Sequence, residues 1–204
     1  SISNVLIQSS INSFGSVAMA GNSAASNLEG FIYTSMNAVY QTSLNFTSQN
    51  LGAGKRSRLM PILLRCLGVV FAIGALLGLI FYLLRYPLLG VYTSDPEVVS
   101  FSILRLELIC STYFLCGMME VCCGSLRGLG YSVLPTVVSL TGACGLRVVW
   151  IFTVFAIDRS LWTLYLSYPV SWGLTALAHF ICFLVVLKRQ GGTKDVPPQT
   201  AAAK

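Results

Sequence analysis

Long apolar stretches alternate with short polar turns along most of the chain. One stretch runs without a charged residue from Cys66 to Leu84, and another runs from Leu161 to Leu187. A helix needs about 20 predominantly apolar residues to cross the roughly 30 Å hydrocarbon core of a bilayer. Within the first of these stretches, Gly74 and Gly78 form a GxxxG pair, which predicts close packing on a neighbouring helix. The pattern predicts six spanning helices, the first one truncated, at about 1–16, 21–51, 59–86, 98–125, 134–156 and 161–187.

Composition supports an all-α integral membrane protein. Of the 204 residues, 55% are hydrophobic and only 10% are charged, and the mean hydropathy is +0.74. A soluble domain carries about 25% charged residues. The net charge of +6 gathers in the turns and in the tail, which argues against a nucleic-acid partner and for the lipid bilayer. Residues 191–204 are polar and contain proline, so we expect a disordered tail there.

The basic residues predict the orientation of the chain. On the side of the 55–58 turn, the alternating helices place eight lysines and arginines: Lys55, Arg56, Arg58, Arg127, Lys188, Arg189, Lys194 and Lys204. The other side has Arg85 and Arg159. Positive charge between spans collects in the cytoplasm, so the carboxyl terminus is expected there, in a multi-pass protein of the plasma membrane. Because the chain opens inside a span-like segment, we expect a fragment of a longer protein.

The second predicted helix carries a polar stripe. Its members are spaced four, three, four, four and three residues apart: Asn22, Ser26, Glu29, Tyr33, Asn37 and Tyr40. At 100° per residue they share one face. This face either borders a wet cleft or forms a helix–helix contact held by polar side chains. In both cases we expect it to point into the bundle or toward its cleft side.

Arg65 lies near the cytoplasmic end of its predicted span, and five charged side chains fall deeper inside the spans: Glu29, Arg105, Glu107, Glu120 and Arg147. A charge at the bilayer centre costs at least about 2–3 kcal/mol unless it is paired or hydrated. By depth, Arg147 is within reach of Glu120 or of Glu107, and the sequence does not choose between the two ion pairs. Without such a pair, Glu120 is a candidate cation or proton site, as is Glu29. Arg147 and three stripe residues are further candidates for binding ion or substrate: Tyr33, Asn37 and Tyr40.

Three turn motifs then carry a family resemblance. QNLGAGKRSR (49–58), YTSDPEV (92–98) and SLRGLG (125–130) occur in the order and at the spacing of the carboxy-terminal six helices of multidrug and toxic compound extrusion (MATE) transporters. The turn residues that carry the resemblance are Gln49, Asn50, Gly52, Gly54, Arg127, Gly128 and Gly130. The chain resembles that family over about residues 1–190. The resemblance implies one lobe of a twelve-helix protein, whose amino-terminal six-helix bundle is the missing partner.

The same resemblance implies an activity. Such proteins are antiporters that expel drugs and organic cations by alternating access, driven by sodium or protons and without a cofactor. One branch binds its ion through acidic residues in the first and fourth helices of this lobe. Residues 1–16 contain no acid, and the second position falls near Cys116, one turn from Glu120. The other branch uses an aspartate in an amino-terminal helix outside this chain, so sodium and proton both stay open.

Three other interpretations compete with the antiporter. A flippase or exporter of lipid-linked saccharides has related bundles, but it favours a cleft lined by several arginines, and the spans here hold three. A non-transporting membrane scaffold is the second. A membrane enzyme is the third, and the sequence argues against it, because the chain has one histidine and neither an HExxH nor a GxSxG motif. The sequence likewise predicts no metal site.

Overall fold

The computed structural model describes residues 2–195, and within that range every regular element is helical. The long elements are α1 (Ile2–Asn12), α2 (Ser16–Gly52), α3 (Leu59–Leu83), α5 (Pro96–Gly128) and α9 (Leu161–Arg189). The shorter ones are a 3-10 turn (Arg56–Arg58), α4 (Arg85–Gly90), α6 (Val133–Ser139), a π-helical segment (Leu140–Gly145), α7 (Leu146–Phe152) and α8 (Val154–Ile157). The predicted all-α membrane bundle is confirmed. Its fifth helix differs from a single α-helix, because the π-helical segment and a break at Thr153 divide it.

Four helical stretches in the described residues are long and apolar enough to cross a membrane: Arg56–Leu83, Pro96–Gly128, Val133–Ile157 and Leu161–Arg189. Helix α2 has 37 residues and is therefore roughly 55 Å long, but it does not belong to this set. Its polar stripe and its many serine and asparagine residues lower its hydropathy. Helix α3 is the most apolar of all and exposes a row of leucines, as a lipid-facing helix does.

Helix α5 lies at the centre, in contact with α2, α3 and α9. Small residues allow these helices to approach closely. A Cβ placed on Gly78 would lie 2.5 Å from the carbonyl oxygen of Cys110, and one on Gly128 would lie 2.7 Å from that of Leu44. Gly74 likewise packs against the backbone of α5 at Phe114. The GxxxG pair of α3 therefore forms the close contact that its spacing predicts.

The residues just after α9 contact both basic turns. The backbone N–H and the hydroxyl of Ser57 donate to Asp195 over 2.8 and 3.1 Å, and the side-chain amide of Gln190 donates to the carbonyl of Leu129 over 3.4 Å. The turns 55–58 and 126–130 therefore lie at one end of the bundle, as predicted, and we call it the basic end. Residues 191–193 continue as a turn, and the part of the predicted tail at 196–204 lies outside the described residues.

Candidate functional site

A buried ion pair joins α2 to α5. Arg105 donates from Nε to Oε1 of Glu29 over 2.7 Å and from Nη2 to Oε2 over 2.8 Å. The two side chains are 6% and 9% exposed. Bidentate bonds between ionised groups are among the strongest in proteins, and they neutralise both charges where they lie. Glu29 therefore points into the bundle, as predicted for its face, but it acts there as a helix–helix contact.

The ion pair extends into a polar network of four helices. Arg105 also donates from Nη1 to Oδ1 of Asn22 over 2.5 Å, and the amide of Asn22 donates to Oε1 of Gln8 over 3.1 Å. The hydroxyl of Tyr165 lies 3.4 Å from the same Oδ1. Side chains of α1, α2, α5 and α9 thus meet around one guanidinium. In a bilayer such contacts replace the water that these polar groups would otherwise bind.

The sequence contains a signal for the pairing of Arg105 with Glu29, which is the depth of each residue along its helix. Helices α2 and α5 both end at the basic end, at Gly52 and Gly128. Glu29 lies 23 residues before Gly52, and Arg105 lies 23 residues before Gly128. Two parallel neighbours place residues at equal distance from a shared end at equal depth. This comparison of depths would have found the partner of Glu29.

Arg147 does not form either of the predicted ion pairs. It donates from Nε to the hydroxyl of Ser171 over 2.9 Å and from Nη1 to Oδ1 of Asn4 over 3.4 Å. Its guanidinium also lies 4.2 Å from the ring centre of Tyr168. The proposed pairs with Glu120 and Glu107 were wrong because Arg147 is turned toward α1 and α9. It also lies roughly 9 Å farther from the basic end than Glu120, counted along the two helices.

Glu107 has a different partner at the periphery. Nε of Arg85 lies 3.3 Å from its carboxylate, and the two side chains are 21% and 39% exposed. Two residues after Arg105, Glu107 is rotated by about 160° from it around α5, so it points away from the buried network. The ion pair therefore lies on the outer surface of the bundle, between α5 and the residues that follow α3.

The remaining candidate residues lie together along one side of α2 and α5, which we call the Glu120 surface: Tyr33, Asn37 and Tyr40 of α2 with Glu120 and Arg127 of α5. Arg127 donates to the hydroxyl of Tyr40 over 2.7 Å. Gly117 packs against Met36 and Gly124 packs against Tyr40, so Glu120 lies level with residues 36–40. Tyr33 is 44% exposed and Asn37 is also exposed. Tyr33 and Asn37 thus face out of the lobe, whereas Tyr40 is 8% exposed and packs on α5 at the edge of this surface.

Glu120 is the unpaired charge of this surface. Among residues 2–195 its carboxylate has no hydrogen-bond or ion-pair partner. Arg127 and Tyr33 are nevertheless close enough to interact with it electrostatically. The side chain is only partly buried. A carboxylate at this position on a membrane helix is accessible to water, an ion or a partner.

The motif turns terminate helices. Gly54 and Gly130 have φ values of 72° and 89°, in the left-handed region that glycine adopts without strain. Asn50 bonds back from its amide to the carbonyl of Phe46 over 2.9 Å, and the carbonyl of Gln49 accepts from the N–H of Ala53 over 3.0 Å. Gly52 lies in open space, and Gly128 allows α2 to approach α5. Apart from Arg127, these residues shape the ends of α2 and α5.

The described residues thus form a bundle of apolar, membrane-spanning helices with a buried ion pair in its interior. The family model described as MatE matches residues 1–153. The chain belongs to the MatE family, the multidrug and toxic compound extrusion transporters. It is 20% identical over 195 residues to the probable multidrug resistance protein YoeA of Bacillus subtilis, covering 95% of this chain and 42% of that protein.

The chain is also similar to a second relative and to two solved structures. The chain is 23% identical over 127 residues to the probable multidrug resistance protein NorM of Thermotoga maritima, covering 61% of this chain and 27% of that protein. A crystal structure of a mutant of the Vibrio cholerae MATE transporter VcmN superposes with a TM-score of 0.83 at 19% identity, over 92% of this chain and 43% of that one. The bent form gives 0.84 at 18%, over 93% and 43%. The chain thus spans less than half the length of each.

Proposed function

We propose that this chain is the carboxy-terminal lobe of a cation-coupled antiporter that exports drugs or organic cations by alternating access. The two relatives named above are described as probable multidrug resistance proteins. The observation that carries the proposal is the unpaired Glu120 on an exposed face of two membrane helices. An organic cation and a coupling ion are both positively charged, so one carboxylate can bind them in turn. Exchange at such a group couples the two movements.

The Glu120 surface also supports the presence of a second lobe. Tyr33, Asn37 and Glu120 are polar groups on membrane-embedded helices, and facing lipid would leave them without partners. In our proposal an amino-terminal six-helix bundle lies opposite this surface, and the cleft between the lobes admits water and substrate. The basic end faces the cytoplasm, because most of the lysines and arginines outside the spans lie there.

The arrangement of arginines favours this function over a flippase for lipid-linked saccharides. A cleft for such anionic substrates needs several free guanidinium groups. Arg105 is neutralised by Glu29 in the interior, and Arg147 is buried against Tyr168. The Glu120 surface holds one arginine and one carboxylate. This balance suits a cationic substrate better than a polyanionic one.

The test uses the full-length protein in vesicles loaded with tetraphenylphosphonium, a lipophilic organic cation. Efflux is driven by an imposed proton gradient in one set and by a sodium gradient in the other. Glu120→Gln keeps the shape of the side chain and removes its charge. Glu107→Gln is the matched control, because it makes the same chemical change on the outer surface of the same helix. We expect gradient-driven efflux to be lost in Glu120→Gln and kept in Glu107→Gln.

The outcome separates three cases. Loss of efflux with an unchanged amount of folded protein supports the coupling role, and the gradient that drives the unmodified protein identifies the ion. Efflux by Glu120→Gln at the normal rate would refute the role of Glu120. An unmodified protein that transports under neither gradient would refute the antiporter itself.

A further inference from the structure

A basic groove opens at the basic end between α2 and the start of α3. Its volume is about 390 Å³, and its lining is Phe46, Asn50, Ser57, Arg58, Pro61, Ile62 and Arg65. Arg58 and Arg65 are exposed, and neither guanidinium has a hydrogen-bond or ion-pair partner in the part of the chain that the structure describes. Two free guanidinium groups in one groove form a site for an anion with several oxygen atoms.

A second groove continues from the first toward the middle of the bundle. The two share Arg65. The second is about 230 Å³ in volume and is lined mainly by small and apolar side chains: Ser35, Ala38, Val39, Thr42, Cys66, Val69 and Ile73. Along α3 it extends from Arg65 to Ile73, roughly 12 Å, whereas one leaflet of a 30 Å hydrocarbon core is about 15 Å thick. The groove therefore has the length of a large part of one leaflet.

The second groove lies on the lipid side of α2. At 100° per residue, Ala38 and Thr42 are rotated by roughly half a turn from Tyr33 and Tyr40. The groove and the Glu120 surface are therefore on opposite sides of the helix. The neighbouring face of α3 exposes Val69 and Leu76, whose apolar side chains suit contact with lipid. The groove is thus open to the bilayer and remote from the surface that we assign to the transport cleft.

We propose that the two grooves together bind one anionic phospholipid. Its phosphate lies between Arg58 and Arg65, and one acyl chain lies along the contact between α2 and α3. Basic pockets where membrane helices meet the surface are suited to anionic lipid headgroups. This site is independent of transport, because it shares no residue with the Glu120 surface.

Charge and shape select this occupant. Lys55 and Arg56 directly precede Ser57 in the chain, and the carboxylate of Asp195 binds Ser57, which lines the groove. Four basic residues against one acid leave the region positively charged. A free phosphate or glycerol phosphate shares the headgroup chemistry but leaves the apolar groove without an occupant. A zwitterionic lipid fills the apolar groove but carries a choline cation that the arginines repel.

The test measures lipid binding to the full-length protein in detergent by native mass spectrometry. The probes are dioleoyl phosphatidylglycerol, dioleoyl phosphatidylcholine and glycerol phosphate. Arg58→Gln/Arg65→Gln removes the two guanidinium groups. The control, Lys188→Gln/Arg189→Gln, removes the same charge from the last turn of α9, outside the groove. We expect the affinity for phosphatidylglycerol to fall about 10- to 30-fold in the first variant and to stay within about twofold in the control.

Several results would overturn the proposal. Equal losses in both variants would mean general attraction to surface charge, and equal affinity for phosphatidylcholine would remove the role of the arginines. Glycerol phosphate bound as tightly as phosphatidylglycerol would mean a site for soluble anions. Ala38→Phe fills the apolar groove and must weaken binding of the dioleoyl lipid, so an unchanged affinity counts against the acyl chain. If the double variant does not fold, Arg65→Gln alone provides the same comparison.

Discussion

Arg105 binds both carboxylate oxygens of Glu29 across the contact between α2 and α5, with N–O distances of 2.7 and 2.8 Å. The interior of the lobe thereby neutralises one acid and one base of its five charged span residues. Glu120 lies level with residues 36–40 of α2, nearer the basic end than Glu29. At that depth its carboxylate has no ion-pair partner among the described residues. The contact between α2 and α5 thus carries one paired carboxylate, Glu29, and one carboxylate without a partner, Glu120, at neighbouring depths.

Breaking this buried ion pair is expected to destabilise the lobe strongly. Glu29→Gln leaves a buried guanidinium without its counter-ion, and such a loss costs about 3–5 kcal/mol. The measurement is thermal unfolding of the detergent-solubilised protein, with Glu29→Gln/Arg105→Gln completing a double-mutant cycle. Arg85→Gln serves as the comparison, because its half-exposed ion pair contributes at most about 1 kcal/mol. A loss of stability in Glu29→Gln no larger than that in Arg85→Gln would contradict the structural role of Glu29.

Two glycines of α3 provide a matched test of helix packing. Gly78→Ala places a methyl group against the carbonyl of Cys110, so α3 must move away from α5, and we expect a loss of about 1–3 kcal/mol. Gly68→Ala makes the same change where nothing lies within 4 Å, and better helix propensity should make it neutral or stabilising by up to about 1 kcal/mol. Thermal unfolding without denaturant measures the stability of both variants. An equal response would mean that α3 does not pack on α5 through Gly78.

The contact between Arg147 and Ser171 should be energetically coupled. Ser171→Ala removes the acceptor of a hydrogen bond from a charged donor, which costs about 1.5–3 kcal/mol. In an Arg147→Met background the same replacement should cost clearly less, because the donor is already absent. Thermal unfolding of the two single variants and the double variant gives the coupling energy. Strict additivity would show that Ser171 stabilises α9 without Arg147.

Asp195 offers a prediction about pH at the basic end. The backbone N–H and then the hydroxyl of Ser57 donate to it and hold the pKa of the Asp195 carboxyl below its ordinary value. The contact therefore contributes fully above the unfolded-state pKa of about 3.9 and is lost as the pH falls through the lower, folded-state pKa. An NMR titration of carboxyl-labelled aspartate measures it, with Asp195→Asn to assign the signal. In Ser57→Ala the pKa should rise toward the ordinary value, and an unchanged pKa would exclude the hydroxyl as a donor.

Much of the fold could be predicted because its determinants act locally. Runs of apolar residues longer than a bilayer span predict helices wherever they occur, and Gly54 and Gly130 predict where helices stop. The uneven distribution of lysine and arginine between alternate turns predicted that residues 55–58 and 126–130 share one end. The interruption of the fifth helix was not predicted; it lies where Gly142 packs closely against Thr175 of α9, a contact that hydropathy and periodicity do not reveal.

The sequence by itself determined the helix order, the shared basic end and the polar stripe of α2, because hydropathy and periodicity need no knowledge of neighbours. Only the tertiary structure decided how that stripe is used. Asn22 and Glu29 meet Arg105 in the interior, whereas Tyr33 and Asn37 stay exposed beside Glu120. Which carboxylate is paired depends on the rotation and depth of each helix against the next. Those quantities are set by close contacts such as those of Gly117 and Gly124, between residues about 80 positions apart in the chain.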